Sequence, residues 1–227
     1  MLAATSAQAA TVTLDATNRG WYGALGDKNS GSASSNYLVG DCRGPNCGGS
    51  GVGDSNYRNW FSFDVSGVSG TITGAKLRLF NPILEEEGTA FASVDGLETY
   101  AVHEVTTTLA ALLGGTGLAG WTDLGDGTVF GSVDVTADDN GAFIEIILNA
   151  DALAALNAAT GNFTVGGAVT SLNDEEDDEH VFGTTQGEQN ITQLVLTVED
   201  VVAVPAPATL LLLGSSLLGL GLTRRRR

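Results

Sequence analysis

Tyr57-Arg-Asn-Trp-Phe-Ser-Phe-Asp-Val-Ser-Gly-Val-Ser-Gly-Thr-Ile-Thr-Gly-Ala-Lys-Leu-Arg-Leu-Phe80 is the stretch that decides the fold. Two parts of it, Trp60-Phe-Ser-Phe-Asp-Val65 and Ala75-Lys-Leu-Arg-Leu-Phe80, alternate with period two, as strands with one buried face do. In the second, Ala75, Leu77 and Leu79 share one face, and Lys76 and Arg78 the other. The link Ser66-Gly-Val-Ser-Gly-Thr-Ile-Thr-Gly74 is rich in turn-forming residues, and Asn81-Pro82 breaks the second strand.

Working outward, further strands are expected at 99–105, 128–135, 142–148, 162–169 and 193–198, separated by turns such as Asp126-Gly127 and Asn140-Gly141. Two stretches read as short helices, 106–113 and 150–159. Asp151 falls in the first turn of the second, where it complements the helix dipole, and Gly114 and Gly161 stand as C-caps. Many short strands joined by Gly-containing turns predict an all-β fold: a single jelly-roll-like β-sandwich over 11–200 with one or two short helices.

Composition agrees. The 227 residues are 43% hydrophobic, enough for a core, yet only 16% charged, and 31 are Gly. The net charge is −17, and four of the ten basic residues are Arg224 to Arg227. Without those four, six basic residues face 27 acidic ones, a net of −21. Such a body is repelled by nucleic acid phosphates, attracts divalent cations and tolerates a salty exterior. The two cysteines, in Cys42-Arg43-Gly44-Pro45-Asn46-Cys47, suit a small disulfide loop in an oxidising compartment. A zinc half-site is the alternative, with no second Cys or His pair to complete it.

Both ends read as addresses. In the first ten residues, Ala7-Gln8-Ala9 fits the small-residue cleavage pattern of a secretory signal, so 1–10 reads as a signal remnant. At the other end, Val204-Pro205-Ala206-Pro207 leads into the apolar Ala208-Thr-Leu-Leu-Leu-Leu-Gly-Ser-Ser-Leu-Leu-Gly-Leu-Gly-Leu222, then Thr223 and Arg224, Arg225, Arg226 and Arg227. The apolar run is short for a stable span, which takes roughly 20 residues. The Arg cluster would stay cytoplasmic by the positive-inside tendency.

This tail, 201–227, resembles the PEP-CTERM sorting domain: Pro-Glu-Pro, an apolar Leu/Gly-rich helix and an Arg-rich end. Here Ala206 replaces the family's Glu between Pro205 and Pro207. The resemblance implies export in a Gram-negative-type envelope and transient anchoring in the inner membrane. It further implies recognition by an exosortase-type processing enzyme and cleavage near the Pro motif, with delivery to the cell surface or beyond. A tail anchor that remains in the membrane is the alternative. The stretch 57–80 also resembles the Arg-x-x-x-x-Phe-Asp … Ala-x-Leu-x-Leu core of DNRLRE-type and carbohydrate-binding-module-like jelly rolls on secreted bacterial proteins.

Candidate chemistry is sparse. His103 sits in an alternating run with Ala101 and Val105 and reads as a strand residue; His180 ends an acidic run and reads as part of a loop. The Gly-x-Ser-x-Gly, His-Glu-x-x-His and Walker patterns do not occur, and the chain is expected not to be an enzyme. Asn173-Asp-Glu-Glu-Asp-Asp-Glu179 reads as a surface loop, because adjacent carboxylates repel. Asp174, Glu175, Asp177 and Asp178 are candidate oxygen ligands for Ca²⁺, and Glu85-Glu86-Glu87-Gly88 is a weaker cluster of the same kind. Trp21, Tyr22 and Trp121 are candidate platforms for stacking on sugar rings. Three functions follow as expectations: a structural or adhesive component of an extracellular matrix or biofilm, a carbohydrate-binding module that is Ca-dependent in one version, and a matrix polysaccharide hydrolase.

Overall fold

In the computed structural model, residues 5–43, 55–83, 90–173, 178–183 and 191–203 are described. They form two packed antiparallel sheets. The first holds four strands in the order β1 (Thr5–Asp15), β11 (Thr192–Ala203), β5 (Thr71–Asn81) and β8 (Ala142–Ile147). The second runs β10 (Glu179–Val181), β3 (Val39–Cys42), β4 (Ser55–Asp64), β9 (Asn162–Val169), β6 (Glu98–Glu104) and β7 (Val129–Val135), with β2 (Asn18–Gly23) paired to β4. Tyr57 pairs with both Gly23 and Gly40, so β2 and β3 must lie on opposite flanks of β4.

The alternation of 75–80 is realised as expected. Ala75, Leu77 and Leu79 enter the inter-sheet core with Phe61, Phe63, Ile144, Ile146, Leu194 and Leu196. On the outer face, Lys76 and Arg78 flank Glu145 at 2.9 and 3.4 Å. At roughly 25 cal/mol per Å² of apolar surface, burial of these side chains is the main driving force for closing the sandwich. β4 is buried on both faces: Trp60 turns outward beneath Tyr22, Leu112 and Leu124. That outer layer is made by α1 (Leu109–Gly114) and α2 (Leu118–Asp123), while α3 (Ala150–Ala158) packs Ala152 and Leu156 into the main core.

Asn149 caps α3 by accepting from the backbone N–H groups of Asp151 and Ala152, both at 3.1 Å. Its C-cap is Ala159 in extended backbone rather than Gly161, and Gly115 rather than Gly114 takes the positive φ after α1. One turn inside α3, Asn157 exchanges two hydrogen bonds with the Ile72 backbone, at 2.9 and 2.8 Å, standing in for a strand neighbour.

Gly167 is demanded by packing. A Cβ there would lie 2.0 Å from Tyr100 Oη and 2.3 Å from Asn59 Oδ1, the two atoms that hydrogen bond across the buried face at 2.9 Å. Asn59 in turn donates to the Tyr37 carbonyl at 2.9 Å, so the polar atoms inside the sandwich are linked in a chain.

Several elements depart from the reading of the sequence. β1 begins at Thr5, inside the stretch read as a signal remnant, and pairs with β11 as far as Ala203, just inside the segment read as the sorting tail. β2, β3, β10 and α2 were not foreseen. β2 is buried along nearly its whole length, so it lacks alternation; α2 starts on Gly117 with no side-chain cap. No helix among the described residues is long and apolar enough to cross a membrane, and the apolar run at 208–222 lies outside them.

Candidate functional site

β6 carries a carboxylate environment of a different kind at each end. At its start, the turn 93–97 is held by Asp95, whose Oδ1 accepts from Ser93 Oγ at 3.0 Å and the Leu97 N–H at 3.1 Å. Glu98 opens the strand and is 0% exposed; its Oε2 accepts from Ser171 Oγ, at the exit of β9. Its Oε1 is buried with no hydrogen-bond partner. Glu179, also 0% exposed, accepts from the Asn173 N–H at 2.8 Å, and Asn173 Nδ2 donates to Asp95 Oδ2 at 3.2 Å. Asp95 and Glu98, from one chain segment, and Glu179, from a second, thus lie at the same end of the sandwich, with Asn173 between Glu179 and Asp95. Burial pushes the Glu98 carboxyl up from its ordinary value; the Ser171 hydrogen bond and the nearby Ser93 hydroxyl oppose this, and the negative charges of Glu179 and Asp95 add to it.

Beside this cluster, Glu179 pairs in register with Asp41 of β3, across from the edge where Cys42 lies. Gly40 has φ +103°, and a Cβ there would meet the Glu179 carbonyl at 2.2 Å, so only glycine lets β10 approach so closely. A sulfur of Cys42, an oxygen of Asp178 and a ring nitrogen of His180 lie within 4.8 Å of one another. Cys42 is disulfide-bonded, so its sulfur is no thiolate and the trio does not make a metal site. Cys47, the only other cysteine of the sequence, lies outside the described residues.

Of the Ca²⁺ ligands expected from the acidic run, Asp174, Glu175 and Asp177 lie outside the described residues, as do 85–88. Asp178 is exposed and accepts from the Arg43 N–H at 2.6 Å. The residue that turns inward is the last of the run, Glu179. Sequence reasoning passed over Glu98 altogether, because a single Glu at a strand start has no local signature; its role comes from what the fold packs against it. The sorting residues Pro205, Ala206, Pro207 and Arg224 to Arg227 also lie outside the described residues.

The sugar-stacking reading of the aromatics needs correction. Tyr22 is wholly buried, donating from its hydroxyl to the Leu112 carbonyl at 2.6 Å. Trp21 is buried edge-on against Tyr57, with ring centroids 4.9 Å apart. Trp121 is half-buried, and the Arg58 guanidinium covers one ring face at 3.8 Å. Tyr22 is covered by α1 and Leu124 on the outer face of β2 and β4, Trp21 packs with Leu38, Cys42 and Tyr57 instead, and Trp121 stands on α2 itself.

Both histidines are buried. His103 sits at the β6 bulge with Nδ1 3.1 Å from the Gly127 carbonyl, and its burial lowers its pKa, so the imidazole is held neutral. His180 belongs to β10 rather than to a loop, its backbone paired with Ala92 in both directions at 2.9 Å. A groove of about 630 Å³ and mixed character opens elsewhere, where Asp15, Arg19, Ser32, Ser34, Thr192 and Gln193 alternate with Ala16, Ala33 and Ile191. No protein-family model matches the chain, and no curated protein matches it.

Proposed function

We propose that this chain is an exported, surface-sorted, non-catalytic β-sandwich protein that serves as a structural or adhesive component of an extracellular matrix. The observation that carries this reading is the C-terminal order of Pro205-Ala206-Pro207, an apolar run and four terminal arginines, which resembles an exosortase-processed sorting signal. The strongly acidic body and the disulfide-bonded Cys42 suit an oxidising exterior. The partners of this reading are an exosortase-type enzyme for the tail and extracellular polysaccharide for the body. Fractionation of the native host expressing the full gene tests it. The protein should reach the surface or medium with the tail removed, and truncation before Val204 should abolish sorting. An intact, cytoplasmic protein would overturn the reading.

A second reading, carbohydrate binding, is favoured by the groove between β1, β2 and β11. Its volume is within the usual range for small-ligand sites, and its Ser, Asp, Gln and Arg side chains match the hydroxyls of a sugar. A glycan array on the tail-less body, with and without Ca²⁺, separates the two readings: retention that S34A and Q193A abolish would favour binding, and no retention would leave the structural role.

A further inference from the structure

We infer that Cys42, Asp178 and His180 form a Zn²⁺ site that the Cys42 disulfide masks and that reduction of the disulfide opens. Among the described residues theirs is the one group of three whose possible ligand atoms, a sulfur, a carboxylate oxygen and a ring nitrogen, all lie within 4.8 Å of one another. The strand register accounts for the convergence. β10 sets His180 opposite Gly40 and Glu179 opposite Asp41, and one residue further along the same register Asp178 stands across from Cys42. Asp178 and His180 are two residues apart, so they share the face on which Cys42 lies. Gly40 has no side chain to stand against His180, and the imidazole reaches diagonally to Cys42, as a large side chain does across a strand pair. Cys42 and His180 are buried and Asp178 is exposed, so the trio has a dry floor and a wet entrance.

Sulfur, nitrogen and oxygen donors together suit Zn²⁺, which takes Cys, His and Asp in one tetrahedral shell, whereas Ca²⁺ and Mg²⁺ want oxygen alone. Zinc–ligand bonds of about 2.0–2.3 Å put neighbouring ligand atoms about 3.5 Å apart, so the trio has to close by little more than about 1 Å, within the range of side-chain rotation. Three protein ligands leave the fourth position to water. Asp178 Oδ1 accepts from the Arg43 N–H at 2.6 Å, which holds the carboxylate as outer partners of metal ligands do. While Cys42 is disulfide-bonded its sulfur is not a thiolate. A phosphine breaks the S–S bond by taking oxygen from water to become its oxide. The two electrons and two protons it releases leave thiols at Cys42 and Cys47, and a dithiol does the same on closing to its own disulfide. Zn²⁺ then displaces the Cys42 proton to solvent and binds the thiolate. A reducing cytosol opens the site, and an oxidising compartment closes it. The site itself does not depend on how the protein is sorted.

The experiment titrates ZnCl₂ by calorimetry into the full chain in mild detergent, in three forms: oxidised, reduced with phosphine, and C47S, which leaves Cys42 a thiol without any reductant. Reduced protein and C47S should each bind one equivalent, and the oxidised protein should bind at least about tenfold more weakly, lacking the thiolate. Co²⁺ in place of Zn²⁺ should give sulfur-to-metal charge transfer and tetrahedral d–d absorption in C47S, and neither in C42S/C47S. In the C47S background, D178N and H180N should each weaken binding at least about tenfold, since even outer partners of a ligand are worth about 10–100-fold. Thermal melts without metal check that each variant folds, and D178N, at an exposed position, tests the site whatever H180N does to β10. Three results would each overturn the site: no Zn²⁺ binding by reduced protein or C47S; equal affinity in the oxidised protein and C47S; or affinity in C47S that D178N leaves intact and D174N/E175Q/D177N removes.

Discussion

Asp123 and Glu98 are both partly or wholly withdrawn carboxylates, roughly 20 Å apart at opposite ends of β6, yet their surroundings differ in sign. Asp123, in the last turn of α2, accepts from the Thr106 and Thr107 N–H groups at 3.0 and 2.8 Å and from Thr106 Oγ1 at 2.7 Å. Burial opposes its ionisation, but those hydrogen bonds outweigh it and hold its pKa below the ordinary value. Glu98 keeps one oxygen without a donor, and burial pushes its pKa up. One end of the sandwich is therefore finished by the protein's own backbone. The other is left with a buried carboxylate that is only partly satisfied. A buried charge is stabilising or costly according to its donors, not according to its depth alone.

The strand sandwich both ends rest on should be the most sensitive element. Gly167→Ala drives a methyl into the Tyr100–Asn59 hydrogen bond and should cost about 3 kcal/mol or more. Chemical denaturation checks this; a loss below about 1 kcal/mol would mean that the core yields there without breaking that hydrogen bond. Next, Asp123→Asn should cost about 1–2 kcal/mol in the same denaturation experiment, since it weakens charge-assisted hydrogen bonds from two backbone donors.

The pH dependence should separate the two carboxylates. Glu98 has a raised folded pKa, so its favourable contribution is present below its unfolded pKa of about 4.3 and is lost as pH rises through the folded value. Asp123 has a lowered one, so its contribution is present above its unfolded pKa and is lost as pH falls through the folded value. E98Q should remove the first loss, and D123N the second, in thermal melts across acid to neutral pH. Smallest of all, Glu145→Ala opens the solvent-exposed pairs with Lys76 and Arg78 and should change stability by no more than about 0.5 kcal/mol, less in high salt.

Strands with one wet face were legible: 75–80 and 142–148 carry their periodicity because solvent lies on one side, whereas 162–169 is buried at every residue from Val165 on and alternates only at its start. β2, β4 and the aromatics on them were legible only in part. Helices α1 and α2 cover that sheet, and alternation disappears where both faces are buried. β10 was hidden by its charge: Glu179 and His180 read as loop, yet Gly40 lets them pair closely against β3. Of the acidic run, Asp178 is exposed and Glu179 buried, while Asp174, Glu175 and Asp177 lie outside the described residues. Exposed carboxylates repel cheaply in water, and only tertiary packing withdraws Glu98 and Glu179 from it.

A carboxyl-carbon NMR titration of the full chain tests the central claim most directly, because it follows Glu98 and Asp123 in one experiment. The account predicts that Glu98 takes up its proton above the ordinary range of a glutamate and Asp123 below that of an aspartate. Glu98 titrating at or below its ordinary value, or Asp123 above its own, would contradict it.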